Sequence, residues 1–271
     1  MRDYTDFCHE YTLKSASNAA PSLQYSGGME KSRAHPSATA PRAVLFDAYG
    51  TLFDVYSVGL LAEQLFPGHG LALALLWRDK QIEYTRLVTT SNHGVHYQPF
   101  WALTRAALTY AIKKISPDFA GDAHDLDAAL NQLMNQYRHL SAFPENRQVL
   151  QALKARGIVT GILSNGDPDM LGIAVRSAGL EDLLDHVISA DAVRKYKTHP
   201  DVYALGPQAT GLKAAQILFV SSNSWDALAA TWYGYTTLWV NRQNQPFEEL
   251  GTPPSRIGTS LHEVLSFFPA T

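Results

Sequence analysis

Apolar and polar positions change rhythm three times along this chain. Residues 1–40 are rich in Ser, Ala, Pro, Gly and Thr and show little apolar periodicity. Such a segment buries too little surface to offset its ordering entropy, and it reads as a flexible tail, with Met29 inside it as an alternative start. At Ala43 a short apolar run begins, Ala43-Val44-Leu45-Phe46, and it ends in Asp47 and a turn at Gly50. The run predicts a buried strand followed by a loop. Residues 57–140 then follow a helical period. Leu60, Leu61, Gln64 and Leu65 suggest one amphipathic face. Trp77 to Val88 and Phe100 to Ile115 read as further helices, and Leu126, Leu130, Leu133, Met134 and Tyr137 mark another.

From about residue 145 the rhythm becomes strand, loop, helix. Val149 to Arg156 predicts a helix capped by Gly157. Strands are expected at Ile158 to Leu163, Val187 to Ala190, Ile217 to Val220 and Thr236 to Val240. Helices are expected at Met170 to Ala178, Val202 to Thr210 and Trp225 to Tyr233, with a closing helix at Leu261 to Phe268. This alternation implies an α/β fold with a parallel sheet covered on both faces. The expected division is a tail over 1–40, a core domain over 41–56 and 141–271, and a helical cap subdomain over 57–140.

Composition narrows the classes. With 271 residues, 46% of them hydrophobic, the chain can bury a substantial core. The net charge is −3 and basic residues are scattered, which argues against a nucleic-acid partner. No apolar run reaches the length of a membrane helix, so no membrane partner is expected. The start of the chain lacks a signal-peptide pattern, because Asp3, Asp6, His9 and Glu10 interrupt it. Cys8 is the single cysteine, which excludes an intrachain disulfide and a Cys-based zinc site. A cytoplasmic protein is the expectation. The ten histidines form no metal or triad spacing.

In such sheets ligands bind outside the carboxyl ends of the strands. Past the first strand come Asp47, Tyr49 and Thr51; past the second, Ser164 and Asn165. Past the third comes the loop Arg194-Lys195-Tyr196-Lys197, and past the fourth come Ser221, Ser222, Asn223, Trp225 and Asp226. An Asp after an apolar run commonly caps a helix, and Ser-Asn-Gly commonly makes a turn. At one sheet edge, these groups would instead combine two carboxylates, a lysine and several hydroxyls and amides.

Phe46-Asp47-Ala48-Tyr49-Gly50-Thr51-Leu52-Phe53-Asp54 resembles the opening motif of the haloacid dehalogenase superfamily, and more narrowly of the L-2-haloacid dehalogenases. Trp77-Arg78-Asp79-Lys80-Gln81-Ile82-Glu83-Tyr84 is similar to the cap segment carrying that family's active-site arginine. Leu163-Ser164-Asn165-Gly166, Tyr196-Lys197 with Tyr203, and Phe219-Val220-Ser221-Ser222-Asn223-Ser224-Trp225-Asp226 match the later motifs. Thr198 stands where the family has proline. The resemblance implies a Rossmann-like parallel sheet with an inserted helical cap. It also implies hydrolytic dehalogenation of small L-2-haloacids to D-2-hydroxyacids through an ester on Asp47, with water as co-substrate, and a homodimer.

Two alternatives share the fold: a magnesium-dependent phosphatase and a non-enzymatic binding protein. A phosphatase of this type needs a second acid two residues after the nucleophile, where this chain has Tyr49. Carboxylates are also sparse around Asn223, so no metal and no cofactor are expected. The resemblance makes Asp47 the nucleophile and Lys197 the cation that pairs with it and holds its orientation. Ser221 and Asn223 are expected to hydrogen-bond the carboxylate and the lysine, and Thr51 to orient Asp47. Asp226 is expected to position Lys197 or the hydrolytic water. Arg78 is expected to meet the leaving halide, and Ser164 with Asn165 the substrate carboxylate. Tyr49, Ile82 and Trp225 would line the apolar side, with Tyr97 a further candidate, and Tyr203 would join the polar network beside the substrate.

Overall fold

In a computed structural model, which describes residues 40–119 and 123–269, six parallel strands form one sheet in the order β3-β2-β1-β4-β5-β6. The strands are β1 (Ala43–Phe46), β2 (Val159–Ser164), β3 (His186–Ser189), β4 (Ile217–Ser221), β5 (Thr236–Val240) and β6 (Arg256–Gly258). The central strands β1 and β4 are buried at every residue, which explains their unbroken apolar runs. Chain order runs outward from β1 on one side through β2 and β3, and on the other through β4, β5 and β6. The direction therefore reverses between β1 and β4, where a crevice opens at the strand ends. Asp47 stands at that point, with its N–H bonded to the Val220 carbonyl at 2.8 Å.

The chain leaves β1 through α1 (Gly59–Leu65), α2 (Gly70–Thr90), α3 (Phe100–Ile115) and α4 (Ala123–Arg138). Helix α2 buries Gly70, Leu73, Ala74, Trp77, Gln81, Thr85 and Val88, a stripe with helical spacing. It packs against the matching stripe of α3, including Phe100, Leu103, Thr104, Ala107 and Leu108. Arg78 and Ile82, beside that stripe, and Thr85, at its margin, are spaced i, i+4 and i+7 and line the same cavity at the sheet edge. Among the described residues, no helix is long and apolar enough to cross a membrane.

The remaining helices are α5 (Asn146–Ala155), α6 (Pro168–Ser177), α7 (Pro200–Thr210) and α8 (Ser224–Tyr233). Asp167 caps α6 by accepting from Met170 N at 3.1 Å, and Pro168 opens the helix. The other Asp167 oxygen accepts from Trp101 N in the first turn of α3 at 3.1 Å. One cap thus ties the inserted helices to the strand layer.

Four readings of the sequence need correction. In α1 the buried residues are Gly59 and Ala62, and Leu61 and Leu65 pack half-buried against the core, while Leu60 and Gln64 face solvent, so only half of the four-residue pattern lies on the inward face. The closing segment Leu261–Phe267 is a 3₁₀ helix rather than an α-helix. Strand β6 was not expected, because its three residues include exposed Arg256 and Ile257 and carry too short a pattern to read. Helix α2 also starts seven residues before Trp77, taking in the apolar stretch from Leu71. The expected tail over residues 1–40 lies, apart from Ala40, outside the described residues.

Candidate active site

The turn after β1 is wound tightly: Thr51, Leu52 and Phe53 all direct their N–H groups at the Ala48 carbonyl. Gly50 makes this possible at φ +93°, a region that side chains disfavour. The turn brings Thr51 Oγ1 back to Asp47 Oδ2 at 3.1 Å, and the same hydroxyl accepts from Ser222 N at 2.8 Å. Asn223 Nδ2 donates to Asp47 Oδ2 at 2.9 Å and to the Tyr49 carbonyl at 3.2 Å. Asn223 stands at the N-cap of α8 but makes no side-chain cap bond. Its amide is committed to Asp47 instead, and Asp47 itself is bound by side chains rather than capping a helix.

Lys197 comes from the loop after β3. Its Nζ lies 2.9 Å from Asp47 Oδ1 and 2.8 Å from Asp226 Oδ2, and all three side chains are buried. Asn165 Oδ1 anchors the loop by accepting from Lys197 N at 2.8 Å. The Lys197–Thr198 peptide is cis. Burial alone would lower the lysine's pKa, but the two carboxylates, Asp226 ahead of Asp47, outweigh it and hold the ammonium above its ordinary range. Asp226 is fully enclosed, with Oδ1 taken by the Tyr203 hydroxyl at 2.7 Å. Tyr203→Phe leaves that oxygen one donor short inside the core, at an expected cost of about 1–3 kcal/mol. Thermal unfolding should show a lower midpoint; an unchanged midpoint would mean the bond contributes no net stability.

Arg78 reaches down from α2. Its Nη2 donates to the Tyr49 carbonyl at 3.2 Å and to Asn223 Oδ1 at 3.1 Å, and its Nη1 to Gln81 Oε1 at 2.7 Å. All three acceptors are neutral. Arg78 and Asp47 both line a cavity of about 10 Å³. Tyr49, Ile82, Thr85, Phe100, Ser164, Asn165, Asn223 and Trp225 complete its lining. The Tyr49 ring stacks on Tyr137 with centroids 5.5 Å apart and tilts against Phe100 at 5.7 Å. Burial, then the neighbouring Tyr137, pushes its phenol well above the ordinary value, so it presents a neutral wall. Gly166 has to lack a side chain here, because a Cβ would stand 2.7 Å from Tyr49 Cε2. Trp225 meets Arg86 of α2 at 5.2 Å from the ring centroid, joining the two layers beside the cavity.

The geometry brings together Asp47, Tyr49, Thr51, Arg78, Ile82, Ser164, Asn165, Lys197, Asn223, Trp225 and Asp226, and it changes several expected parts. Ser221 reaches neither the carboxylate nor the lysine through its hydroxyl, which accepts from Asn223 N at 3.1 Å and so acts through that residue. Asp226 has both oxygens engaged behind Lys197, so it positions the lysine and does not face a water in the cavity. Tyr203 is buried beneath Asp226, away from the cavity lining. The Tyr97 hydroxyl donates to Asp191 and its ring stacks on Tyr196, so it too lies outside the lining. Sequence reasoning missed Thr85 and Phe100. Thr85 was recoverable as the next position on the Arg78–Ile82 stripe, whereas Phe100 has no such periodic cue.

Among the described residues, no group of three or more His, Cys, Asp or Glu side chains is placed to hold a metal ion. A magnesium ion needs several oxygen ligands. Here Asp47 and Asp226 share the Lys197 ammonium between them, so the donor set does not fit one.

Residues 41–234 match the family model described as a haloacid dehalogenase-like hydrolase. An (S)-2-haloacid dehalogenase of Pseudomonas sp. (strain YL) is 42% identical over 228 residues, covering 84% of this chain and 94% of the relative. The crystal structure of an L-2-haloacid dehalogenase superposes with a TM-score of 0.81 at 55% identity, covering 86% of this chain and 100% of the other. The L-2-haloacid dehalogenase of Xanthobacter autotrophicus with chloropropionic acid covalently bound is also similar. Its TM-score is 0.76 at 34% identity, over 85% and 100% of the two chains.

Proposed function

The chain belongs to the haloacid dehalogenase-like hydrolases, and on that premise we propose that it hydrolyses small L-2-haloacids to D-2-hydroxyacids through an ester on Asp47. One observation carries this reading. Asp47 lines a small cavity together with an arginine bonded only to neutral oxygens, and Tyr49 occupies the place of a second acid. An Asp47 oxygen attacks C2 in line with the carbon–halogen bond, and the halide leaves with the bonding pair. A halide needs no proton to depart, so no general acid is required at position 49. The charge developing on the halogen is met by Arg78. Ser164 and the free amide of Asn165 offer donors to the substrate carboxylate, while Tyr49, Ile82, Phe100 and Trp225 exclude water from the alkyl side.

Water then adds to the Asp47 carboxyl carbon. Whichever oxygen carries the ester, the other retains at least one donor: Lys197 at Oδ1, or Thr51 and Asn223 at Oδ2. These donors stabilise the tetrahedral oxyanion before the hydroxyacid leaves. One oxygen of water remains in the Asp47 carboxylate, a proton is released, and C2 has been inverted once. In this reading the helices of residues 57–140 act as a cap that delivers Arg78, Ile82, Thr85 and Phe100 to the catalytic edge.

The test is halide release from L- and D-2-chloropropionate, each with and without EDTA. The expected result is activity on the L form alone, unchanged by chelation. Release from only the D form removes the stereochemical assignment, and loss of activity in EDTA removes the metal-free mechanism. Phosphate release from small esters, with no halide release from either acid, transfers the site to phosphoryl chemistry.

A further inference from the structure

Gln81 takes no part in the chemistry described above, yet it is almost completely enclosed, at 1% exposure, and every polar atom of its side chain is committed. Its Oε1 accepts from Arg78 Nη1 at 2.7 Å. Its Nε2 donates to Thr104 Oγ1 at 2.7 Å and to the Tyr137 hydroxyl at 3.2 Å. The direction of this amide is determined by what lies behind it. Thr104 spends its single hydroxyl proton on the Phe100 carbonyl at 2.7 Å, so it can offer Gln81 only lone pairs. A flipped amide would set a carbonyl oxygen against those lone pairs and an NH₂ against the guanidinium. The α3 backbone near Phe100 therefore orients Thr104, Thr104 orients Gln81, and Gln81 orients Arg78.

The shared surroundings tighten this arrangement. Trp77 Nε1 donates to the Thr104 carbonyl at 2.9 Å, pinning α2 to α3 one residue before Arg78. Tyr137, whose hydroxyl meets the amide, stacks on the Tyr49 wall. Burial above all raises the Tyr137 phenol's pKa, which keeps it a neutral hydroxyl.

We propose that Gln81 is a positioning residue for the dehalogenation: it aims Arg78 at the leaving halide and, being neutral, leaves the guanidinium's charge free for that anion. A glutamate has almost the same shape and would also accept from Arg78. It would, however, neutralise the arginine and could not donate to Thr104. Among the described residues, no carboxylate lies within ion-pair distance of Arg78, which is what an arginine reserved for a transient anion requires. The proposal rests on the halide role assigned to Arg78 above.

The experiment compares the wild type with Gln81→Met and Gln81→Glu. It records kcat and KM for L-2-chloropropionate, the thermal midpoint, and bromide binding by titration calorimetry, which needs no turnover. A misaimed group costs on the order of 10²-fold in rate, so Gln81→Met should lose about that in kcat with KM little changed. Its bromide affinity should fall about tenfold, the scale of one weakened charge-assisted hydrogen bond. Gln81→Glu should lose measurable bromide binding altogether while remaining folded. A role in packing alone would lower the midpoint of both variants and leave kcat and bromide affinity near wild type, and that result overturns the proposal. If Gln81→Met does not fold, Gln81→Glu decides: retained bromide affinity overturns the proposal and lost affinity supports it. Wild-type protein that releases no halide refutes the dehalogenase reading, whereas normal turnover in both variants refutes only the role of Gln81.

Discussion

Asp47→Asn is expected to abolish halide release, lowering kcat by about 10⁴-fold or more, the scale seen when a covalent nucleophile is removed. Asparagine preserves the shape but offers a weakly nucleophilic carbonyl oxygen and an NH₂ group. The site makes this substitution unusually hostile. Lys197 faces one oxygen of Asp47, and Thr51 with Asn223 faces the other, so all three neighbours are donors. Either orientation of the asparagine places an NH₂ against at least one donor, and nothing there could act as a surrogate base. Halide release under saturating L-2-chloropropionate measures the loss. A companion measurement uses wild-type enzyme in heavy-oxygen water: after repeated turnover, the peptide containing Asp47 should carry the heavy isotope. An unlabelled peptide would mean that water attacks the substrate directly, and a turnover in Asp47→Asn near the wild-type rate would remove the nucleophile assignment.

Lys197→Met carries the second large effect, and it reaches stability as well as activity. The ammonium is enclosed between Asp47 and Asp226, also packs over the Phe219 ring at 4.8 Å, and is held protonated by the two carboxylates against the pull of burial. Methionine fills the volume but leaves the carboxylates to face one another without a cation. Breaking a buried pair from one side costs about 3–5 kcal/mol. Activity should fall by orders of magnitude, because both the orientation of Asp47 and a donor to the ester carboxyl are lost. Chemical denaturation measures the stability term, and adding Asp226→Asn to Lys197→Met should restore part of it by removing one uncompensated charge. The pH dependence has a definite sign. The folded-state pKa is raised above the unfolded one, so the lysine's contribution is complete below the unfolded value and drains away as pH rises through the folded value. Lys197→Met should lack that alkaline loss. A variant as stable and as fast as the wild type would show that the cluster does not depend on its cation.

Much of the architecture follows from local pattern. The buried runs at 43–46 and 217–220 mark the two central strands because no solvent face interrupts them with polar residues. The stripe from Leu130 to Tyr137 marks α4 for the complementary reason, a single buried face. Where the pattern was short, it misled. Four residues of α1 could not distinguish Leu60, which is 42% exposed, from the inward Ala62. Three residues of β6 offered no alternation to read, since only pairing with β5 makes them a strand.

Which chemical groups arrive at the sheet edge follows from the strand pattern. Parallel strands deliver their carboxyl ends to one side, so Asp47, Ser164, Asn223 and the loop that carries Lys197 were expected at one edge. What each group does there depends on contacts made across the fold. Hydrogen bonds are directional, and the bonds that separate Asn223 from Ser221, or the enclosed Asp226 from a carboxylate open to the cavity, join residues up to 176 positions apart. Gln81 makes the same point from the opposite side. On its own helix it is one more polar residue beside an arginine, and it acquires a role only because α3 presents Thr104 with its proton already spent.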